Sequence, residues 1–161
     1  MSGARPGHTR RQALAWAAVA GLAPFTRAEA ATLPAAVDLR RELQAALLRG
    51  QPLVVMVSLE GCPFCKLVRD SYLAPLHVET DLAVVQLDWG SAQAVRDFSG
   101  AARTHDQLVR AWGVSVTPTV FFFGRDAKEA APKIVGSSIP DFYGAYLEQR
   151  LAAARRLIAR G

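Results

Sequence analysis

The sequence predicts a three-layer α/β fold in which helices cover both faces of a central mixed β-sheet. Two apolar runs, 53–59 and 82–88, are too continuous for strands with one solvent-facing side, and such strands are typically covered on both faces. Amphipathic segments separate the runs, which gives the order α-β-α-β-α-β-β-α. The last two strand candidates, 119–123 and 133–136, have a short polar connection that favours antiparallel pairing, so the sheet is expected to be mixed.

The first half of the chain is predicted to form a β-α-β unit after an initial helix. Asp38 is a suitable N-cap for that helix, and Gly50 is placed to end it. A second helix begins at the cysteine pair that follows the strand at 53–59, and Pro75 is expected to stop or kink it. The strand at 82–88 then lies parallel to the first, with the cysteine helix as the crossover.

The second half begins with a polar excursion at 89–103, in which only 95–100 indicates a short strand or turn. Trp89 and Phe98 are predicted to be packing residues beneath this excursion, with a partner-binding rim as the alternative. A capping box, Thr104 with Gln three residues later, opens the next helix. The helix is therefore expected to begin directly after the excursion.

The chain is predicted to end in two strands and a helix. A turn at 124–126 joins the strands at 119–123 and 133–136. Pro140-Asp141 suits a helix start, and the apolar residues that follow recur at helical spacing. This final helix completes the layer pattern.

The first thirty residues are predicted to be a secretory signal peptide. A basic start precedes the apolar stretch at 13–23, and Ala28-Glu29-Ala30 forms an A-x-A cleavage site. Cleavage after Ala30 would leave 31–161 as a single mature domain, whereas an uncleaved anchor is the alternative. The apolar stretch is shorter than the roughly 20 residues that span a bilayer. Arg10-Arg11 also fits a twin-arginine export signal, so both export routes stay open.

The charge of the chain gives no reason to propose that it binds nucleic acid. The chain of 161 residues has a formal net charge of +5, and four Arg against one Glu within 1–30 account for +3 of it. The remaining charge of +2 is spread without a basic stripe. The length suffices for one domain with a real core.

Cys62 and Cys65 are the only cysteines, and they follow the first strand as a C-x-x-C pair. A thiol at a helix start is favoured as thiolate by the helix dipole, and the second thiol can resolve a mixed disulfide. A passive disulfide and a metal half-site are the alternatives; His77 and His105 show no ligand spacing for the latter. The pair therefore predicts a redox centre.

Together with Val116-Thr117-Pro118-Thr119, this C-x-x-C resembles the signature of the thioredoxin superfamily, over roughly 53–151. The resemblance implies a thioredoxin-like fold in which Pro118 is cis and packs beside the disulfide. It also implies that the backbone of Thr117 pairs with an extended substrate segment. Thr117, Pro118 and Phe64 are thus the candidate substrate-binding residues.

The chain departs from that family at two points. Thioredoxins carry a buried Asp six residues before the first cysteine, where this sequence has Met56; Glu60 at the same strand end is a candidate substitute. Glu60 and Lys66 flank the cysteine pair, and each is expected either to tune the acidity of the thiols or to be a solvated surface charge. Phe64 stands where disulfide oxidases of the DsbA type carry a histidine, whose absence argues against a very strong oxidant.

The leader, the Gly-Cys-Pro-Phe-Cys sequence, the excursion and Thr117-Pro118-Thr119 together resemble the SoxW/SoxS group of periplasmic thioredoxins. The resemblance implies a monomeric thiol–disulfide reductase that keeps a cysteine-bearing sulfur-oxidation carrier reduced and uses no cofactor or metal. Because the periplasm is oxidising, such a reductant needs electrons from a membrane protein of the DsbD/CcdA type. A disulfide oxidase or isomerase of the DsbA/DsbC type and a non-enzymatic metal-binding module remain the alternatives.

Overall fold

The fold is taken from a computed structural model, which describes residues 3, 32–137 and 142–161. The predicted signal peptide and the predicted helix start at Pro140-Asp141 lie outside the described residues, apart from the isolated Gly3. Among the helices described, none combines the length and apolar character needed to cross a membrane.

The helices and strands follow the predicted order, with one hairpin added. In chain order they are α1 (Leu39–Leu48), β1 (Leu53–Ser58), α2 (Pro63–Val68), a π-helical turn (Arg69–Leu73), α3 (Ala74–Thr80), β2 (Val84–Asp88), β3 (Ala94–Arg96), β4 (Ala102–Thr104), α4 (His105–Ala111), β5 (Thr119–Phe123), a 3₁₀ turn (Arg125–Ala127), β6 (Glu129–Val135) and α5 (Tyr143–Arg160). The last strand begins at Glu129, four residues earlier than predicted. Its first half pairs with β5, although Pro132 lies within the strand.

A four-stranded mixed sheet of order β2-β1-β5-β6 forms the centre of the fold. β1 and β2 are parallel, with Met56 opposite Gln86 and Ser58 opposite Asp88. β5 is antiparallel to both β1 and β6. The prediction of a mixed α/β sheet with a β-α-β unit is therefore confirmed.

Side chains alternate between the two faces of the sheet, as the period of a strand requires. Val54 and Met56 pack with α2, α3 and α5, whereas Val55 and Val57 pack with α1 and α4. All six residues of β1 are buried, which explains the continuous apolar run in the sequence. We call the first side the cysteine face and the second the α4 face.

Local capping signals set the helix starts. The side chain of Asp38 accepts a hydrogen bond from the backbone N–H of Arg41 at 3.0 Å, and the capping box between Thr104 and Gln107 is complete. These bonds satisfy donors that the first helical turn leaves unpaired. Both predicted starts are confirmed.

The sequence predicts that Pro75 stops or kinks the cysteine helix, and the helix does not stop there. The helix continues to Thr80 through the π-helical turn, in which the N–H of Ala74 bonds the carbonyl of Arg69. This wider turn ends at Leu73, so Pro75 falls in the first turn of α3, where a missing N–H is tolerated. The irregularity is a local widening of a continuing helix.

The polar excursion contains an antiparallel hairpin of β3 and β4. Its turn is organised by Asp97, whose carboxylate accepts bonds from the N–H and hydroxyl of Ser99 and the N–H of Ala101. The Ser99 hydroxyl is the main cause of a lowered pKa at Asp97. Trp89 and Phe98 are partly buried against the core, which supports their prediction as packing residues.

Candidate redox site

Cys62 and Cys65 form a disulfide at the start of α2, with their Cα atoms 5.2 Å apart. Cys62 is the N-cap of the helix, and the backbone N–H of Cys65 donates to its Sγ at 3.1 Å. Cys62 is half-buried, whereas only 1% of Cys65 is exposed. The pair thus has one sulfur that a partner can reach and one sheltered in the core.

The local backbone places Cys62 at this helix start. Gly61 has φ +73°, a left-handed conformation that glycine adopts without strain, and Pro63 occupies the first helical position. The reduced Cys62 sulfur would therefore lie among the unpaired N–H groups of the first turn, where the helix dipole favours a thiolate.

The peptide bond between Thr117 and Pro118 is cis. The Thr117 hydroxyl lies 3.8 Å from Cys62 Sγ, and the Pro118 carbonyl accepts a bond from the N–H of Gly136 at 2.7 Å. Pro118 is buried and Thr117 is half-buried. The fold brings this segment beside the disulfide, although 55 residues separate Thr117 from Cys62.

Exposed apolar side chains lie on the chain segments next to the reachable sulfur. Phe64 is 55% exposed, Val116 is 45% exposed and Leu59 is 44% exposed. These residues come from three chain segments that meet at the disulfide: the end of β1, the first turn of α2 and the loop before Pro118. Exposed apolar residues gathered at one site are typical of an interaction surface.

The charged residues that flank the cysteines, Glu60 and Lys66, are exposed, as one of the two predicted alternatives has it. Glu60 is exposed, whereas Met56 is completely buried in the same core cluster as Cys65. The ammonium group of Lys66 pairs with Asp70 one turn along the helix, and this hydrogen bond lowers the pKa of Asp70. The charge of Lys66 is therefore directed along the helix.

A cavity of about 890 Å³ lies next to Cys62 at the carboxyl ends of β1 and β2. Its lining includes Ser58, Cys62, Gln86 and Asp88. The Gln86 side-chain amide donates to the Asp88 carboxylate at 2.6 Å. Sequence reasoning missed this polar wall; its signal is a polar residue at every second position near the end of an otherwise apolar strand.

His105 fixes the backbone next to that wall. It is fully buried; its Nδ1 accepts a hydrogen bond from the N–H of Asp88 at 3.1 Å, and its Nε2 lies 2.9 Å from the carbonyl of Ala36. Because an N–H can only donate and a carbonyl can only accept, these partners select the neutral imidazole with the proton on Nε2. The ring thus joins α4 to β2 and to the segment before α1.

Neither histidine near the core is arranged as a partner for the cysteines. Both ring nitrogens of His105 bind backbone groups, and Nδ1 of His77 lies 2.7 Å from the carbonyl of Leu82. Within residues 32–137 and 142–161, no group of three or more His, Cys, Asp or Glu side chains could hold a metal ion. A metal on Cys62 and Cys65 would need ligands from elsewhere.

A C-x-x-C disulfide at the start of a helix, beside a cis-proline on a mixed sheet, defines a thiol–disulfide oxidoreductase. The model of the family described as a thioredoxin-like domain matches residues 39–151. The chain therefore belongs to the thioredoxin-like family. No curated protein matches the chain in sequence.

Solved structures with the same fold include several thioredoxins. A thioredoxin from Thermus thermophilus is 20% identical with a TM-score of 0.50, covering 73% of this chain and 87% of its own. Thioredoxin O2 from Arabidopsis thaliana is 20% identical with a TM-score of 0.47, covering 71% and 93%. The periplasmic thioredoxin SoxS from Paracoccus pantotrophus is 18% identical with a TM-score of 0.42, covering 65% and 99%.

Proposed function

We propose that the protein is an exported thiol–disulfide reductase that reduces disulfides of partner proteins in the periplasm. The observation that carries the proposal is the position of Cys62, a half-buried helix N-cap beside the cis-proline, with Cys65 buried behind it. A reachable thiol that attacks and a sheltered thiol that resolves suit reduction of a protein disulfide.

In this reaction Cys62 attacks the client disulfide as a thiolate, and a mixed disulfide forms while one client sulfur leaves. Cys65 then attacks Cys62, which closes the disulfide of the enzyme and releases the second client sulfur. The client gains two electrons and the enzyme loses two. The role of each cysteine follows from exposure, because a client can reach Cys62 but not Cys65.

The substrate-binding roles of Thr117, Pro118 and Phe64 belong to this proposal. An extended client segment would pair with the backbone of Thr117 as an added strand, over the buried ring of Pro118. Phe64 would cover the apolar side chains next to the client cysteine, since it is exposed beside the disulfide. Val116 and Leu59 extend the same apolar rim.

The client and the electron donor are the finer part of the proposal. The predicted leader, the Gly-Cys-Pro-Phe-Cys sequence and the excursion favour a thioredoxin of the SoxW/SoxS group, which acts as a monomer on a sulfur-oxidation carrier. A membrane protein of the DsbD/CcdA type would return electrons to Cys62 and Cys65. Without this supply, an oxidising periplasm would hold the pair as a disulfide.

Alkylation trapping in cells tests this direction of electron flow. The full chain is produced in a bacterium with and without the membrane electron donor, and periplasmic thiols are quenched with acid and then alkylated. The cysteines are expected to be mainly reduced with the donor and oxidised without it. Cysteines that stay oxidised in both strains, or a chain that stays in the cytoplasm with residues 1–30 attached, would contradict the proposal.

A further inference from the structure

The buried position of Cys65 creates a need for a proton acceptor. This thiol is only 1% exposed and must lose its proton before it attacks the mixed disulfide at Cys62. Burial in apolar surroundings disfavours the thiolate of an isolated thiol. Met56, its neighbour in the same core cluster, has no group that accepts a proton.

A carboxylate lies on the neighbouring strand, on the same face of the sheet. In the parallel register Met56 is opposite Gln86 and Ser58 is opposite Asp88. Val85 and Leu87 pack on the α4 face, so the alternating Gln86 and Asp88 belong to the cysteine face. Asp88 thus ends the strand next to β1 on the side where α2 carries the cysteines.

Asp88 and Cys62 line the same cavity, which is large enough to admit several water molecules. Cys65 is not part of the lining, but its Sγ is bonded to the Cys62 Sγ and therefore lies directly behind the cavity wall. Ser58, the residue opposite Asp88 on β1, lines the cavity as well and is only 2% exposed. Glu60, the other carboxylate of the lining, is exposed to solvent. The half-buried Asp88 is therefore the better placed of the two acidic groups.

Three contacts hold Asp88 in position. Its backbone N–H donates to His105, its carboxylate accepts the Gln86 amide at 2.6 Å, and its strand pairs with β1 at Ser58. The side-chain amide oxygen of Gln86, Oε1, is buried without a hydrogen-bond partner, so a free acceptor accompanies the amide that binds the Asp88 carboxylate. A fixed acid–base group next to an accessible cavity is suited to proton transfer through water.

We propose that Asp88 accepts the proton of Cys65 through cavity water during resolution of the mixed disulfide. The Cys65 thiolate then forms a bond to Cys62 Sγ with its electron pair, and the bond from Cys62 to the client sulfur breaks. The client leaves as a thiolate and takes a proton from solvent, to which Asp88 returns its own. The client disulfide is the oxidant, so the electrons balance.

Ellman's reagent separates the two steps because each releases one coloured thiolate. The first release reports attack by Cys62, and the second reports attack by Cys65 on the mixed disulfide. In Asp88→Asn the second release is expected to slow by about tenfold or more, while the first stays within about threefold of the parent protein. The matched control Glu60→Gln removes the exposed carboxylate of the same cavity and is expected to keep the shallow pH slope of the second step.

The pH profile distinguishes a proton acceptor from a merely structural or electrostatic residue. Without the acceptor, the second step depends on spontaneous ionisation of Cys65, so its logarithmic rate should rise more steeply with pH in Asp88→Asn. A negative charge that acts only on thiol acidity would give the opposite result, since its removal favours the thiolate and speeds the step. An equal slope, or an accelerated second release, would overturn the proposal.

Asp88→Glu keeps the charge and provides the second variant if Asp88→Asn does not fold. Its second step is expected to be slower than that of the parent protein but to keep the shallow pH slope. A slope as steep as that of the asparagine variant in a folded protein would also overturn the proposal. The inference rests on the thiol–disulfide chemistry of the proposed function, but a small reagent tests it whatever the client, compartment or direction of electron flow.

Discussion

The two faces of the sheet use their buried polar side chains differently. On the cysteine face, Ser58, Gln86 and Asp88 border a cavity beside Cys62. On the α4 face, His105 is fully buried and binds backbone groups through both ring nitrogens. The first arrangement leaves polar groups accessible for chemistry, and the second holds the backbone that carries them.

The site lies at this end of the molecule because the carboxyl ends of two parallel strands meet there. A β-α-β unit places its helix start above these strand ends. The α4 face contributes an aromatic cluster, with the rings of Phe98 and Phe123 4.7 Å apart and those of Trp112 and Phe121 5.1 Å apart. One face therefore supplies reactivity and the other supplies rigidity.

The largest effect is expected from the cysteines themselves. Cys62→Ser should lose disulfide reductase activity down to the rate of uncatalysed exchange, because it removes the reachable nucleophile. Cys65→Ser should also lose turnover but should trap a client on Cys62. Insulin reduction and non-reducing electrophoresis measure the two outcomes. If Cys62→Ser traps the client and Cys65→Ser does not, the assigned roles are reversed.

The next effect concerns stability and compares His105 with Ser58. His105→Ala should leave the Asp88 N–H and the Ala36 carbonyl unpaired in the core, at a cost of roughly 2–4 kcal/mol in the free energy of unfolding. Ser58→Ala, at the cavity, should cost less than about 1 kcal/mol. Urea unfolding of both variants checks the order. Equal costs would mean that the two faces do not differ in the way described.

Hydrogen bonds between close neighbours could be predicted from the sequence, whereas those between distant residues could not. Asp38 and Thr104 are recognisable as helix caps because their partners lie within three residues. The partner of His105 at Ala36 lies 69 residues away, and the relation of Asp88 to Cys62 depends on strand register. Long-range pairing of this kind leaves no local pattern.

The same distinction separates the elements that were predicted from those that were not. β1 and β5 are buried on both faces and read as continuous apolar runs. β3 and β4 have three residues each, and Val95 is the only one of the six that is buried, so there is no alternation to detect. The cis bond before Pro118 agrees with an implication of the family resemblance, which no local pattern of the residues supplies.

A smaller effect compares two phenylalanines. Phe98→Ala should destabilise the protein by about 1–3 kcal/mol, because its ring packs on Trp112 and Phe123. Phe64→Ala should change stability by less than about 0.5 kcal/mol, since its side chain is exposed.

The kinetic readout of these variants is also expected to differ. Phe64→Ala should raise KM for a protein disulfide severalfold and leave the reaction with Ellman's reagent unchanged, whereas Phe98→Ala should leave both unchanged below its unfolding temperature. An unchanged KM for the protein disulfide in Phe64→Ala would remove Phe64 from the substrate-binding surface.

The smallest effect is a pH dependence at Asp70. The Lys66 ammonium group holds the pKa of this carboxyl below its usual range, so the folded state binds that proton less readily than the unfolded state. The resulting stabilisation is present above about pH 4 and is lost as pH falls through the lowered folded-state pKa. Asp70→Asn should therefore lower Tm slightly at pH 6, by no more than a surface ion pair contributes, and not at pH 2. A Tm difference that is the same at both pH values would contradict this assignment.

The reduction potential of the Cys62/Cys65 couple tests the central claim most directly. It can be measured on the purified chain by equilibration with glutathione or dithiothreitol buffers and alkylation of the free thiols. We expect a value near the roughly −270 mV of thioredoxin, as a periplasmic reductant requires. A value near the roughly −120 mV of the strong periplasmic oxidase would contradict the proposed function.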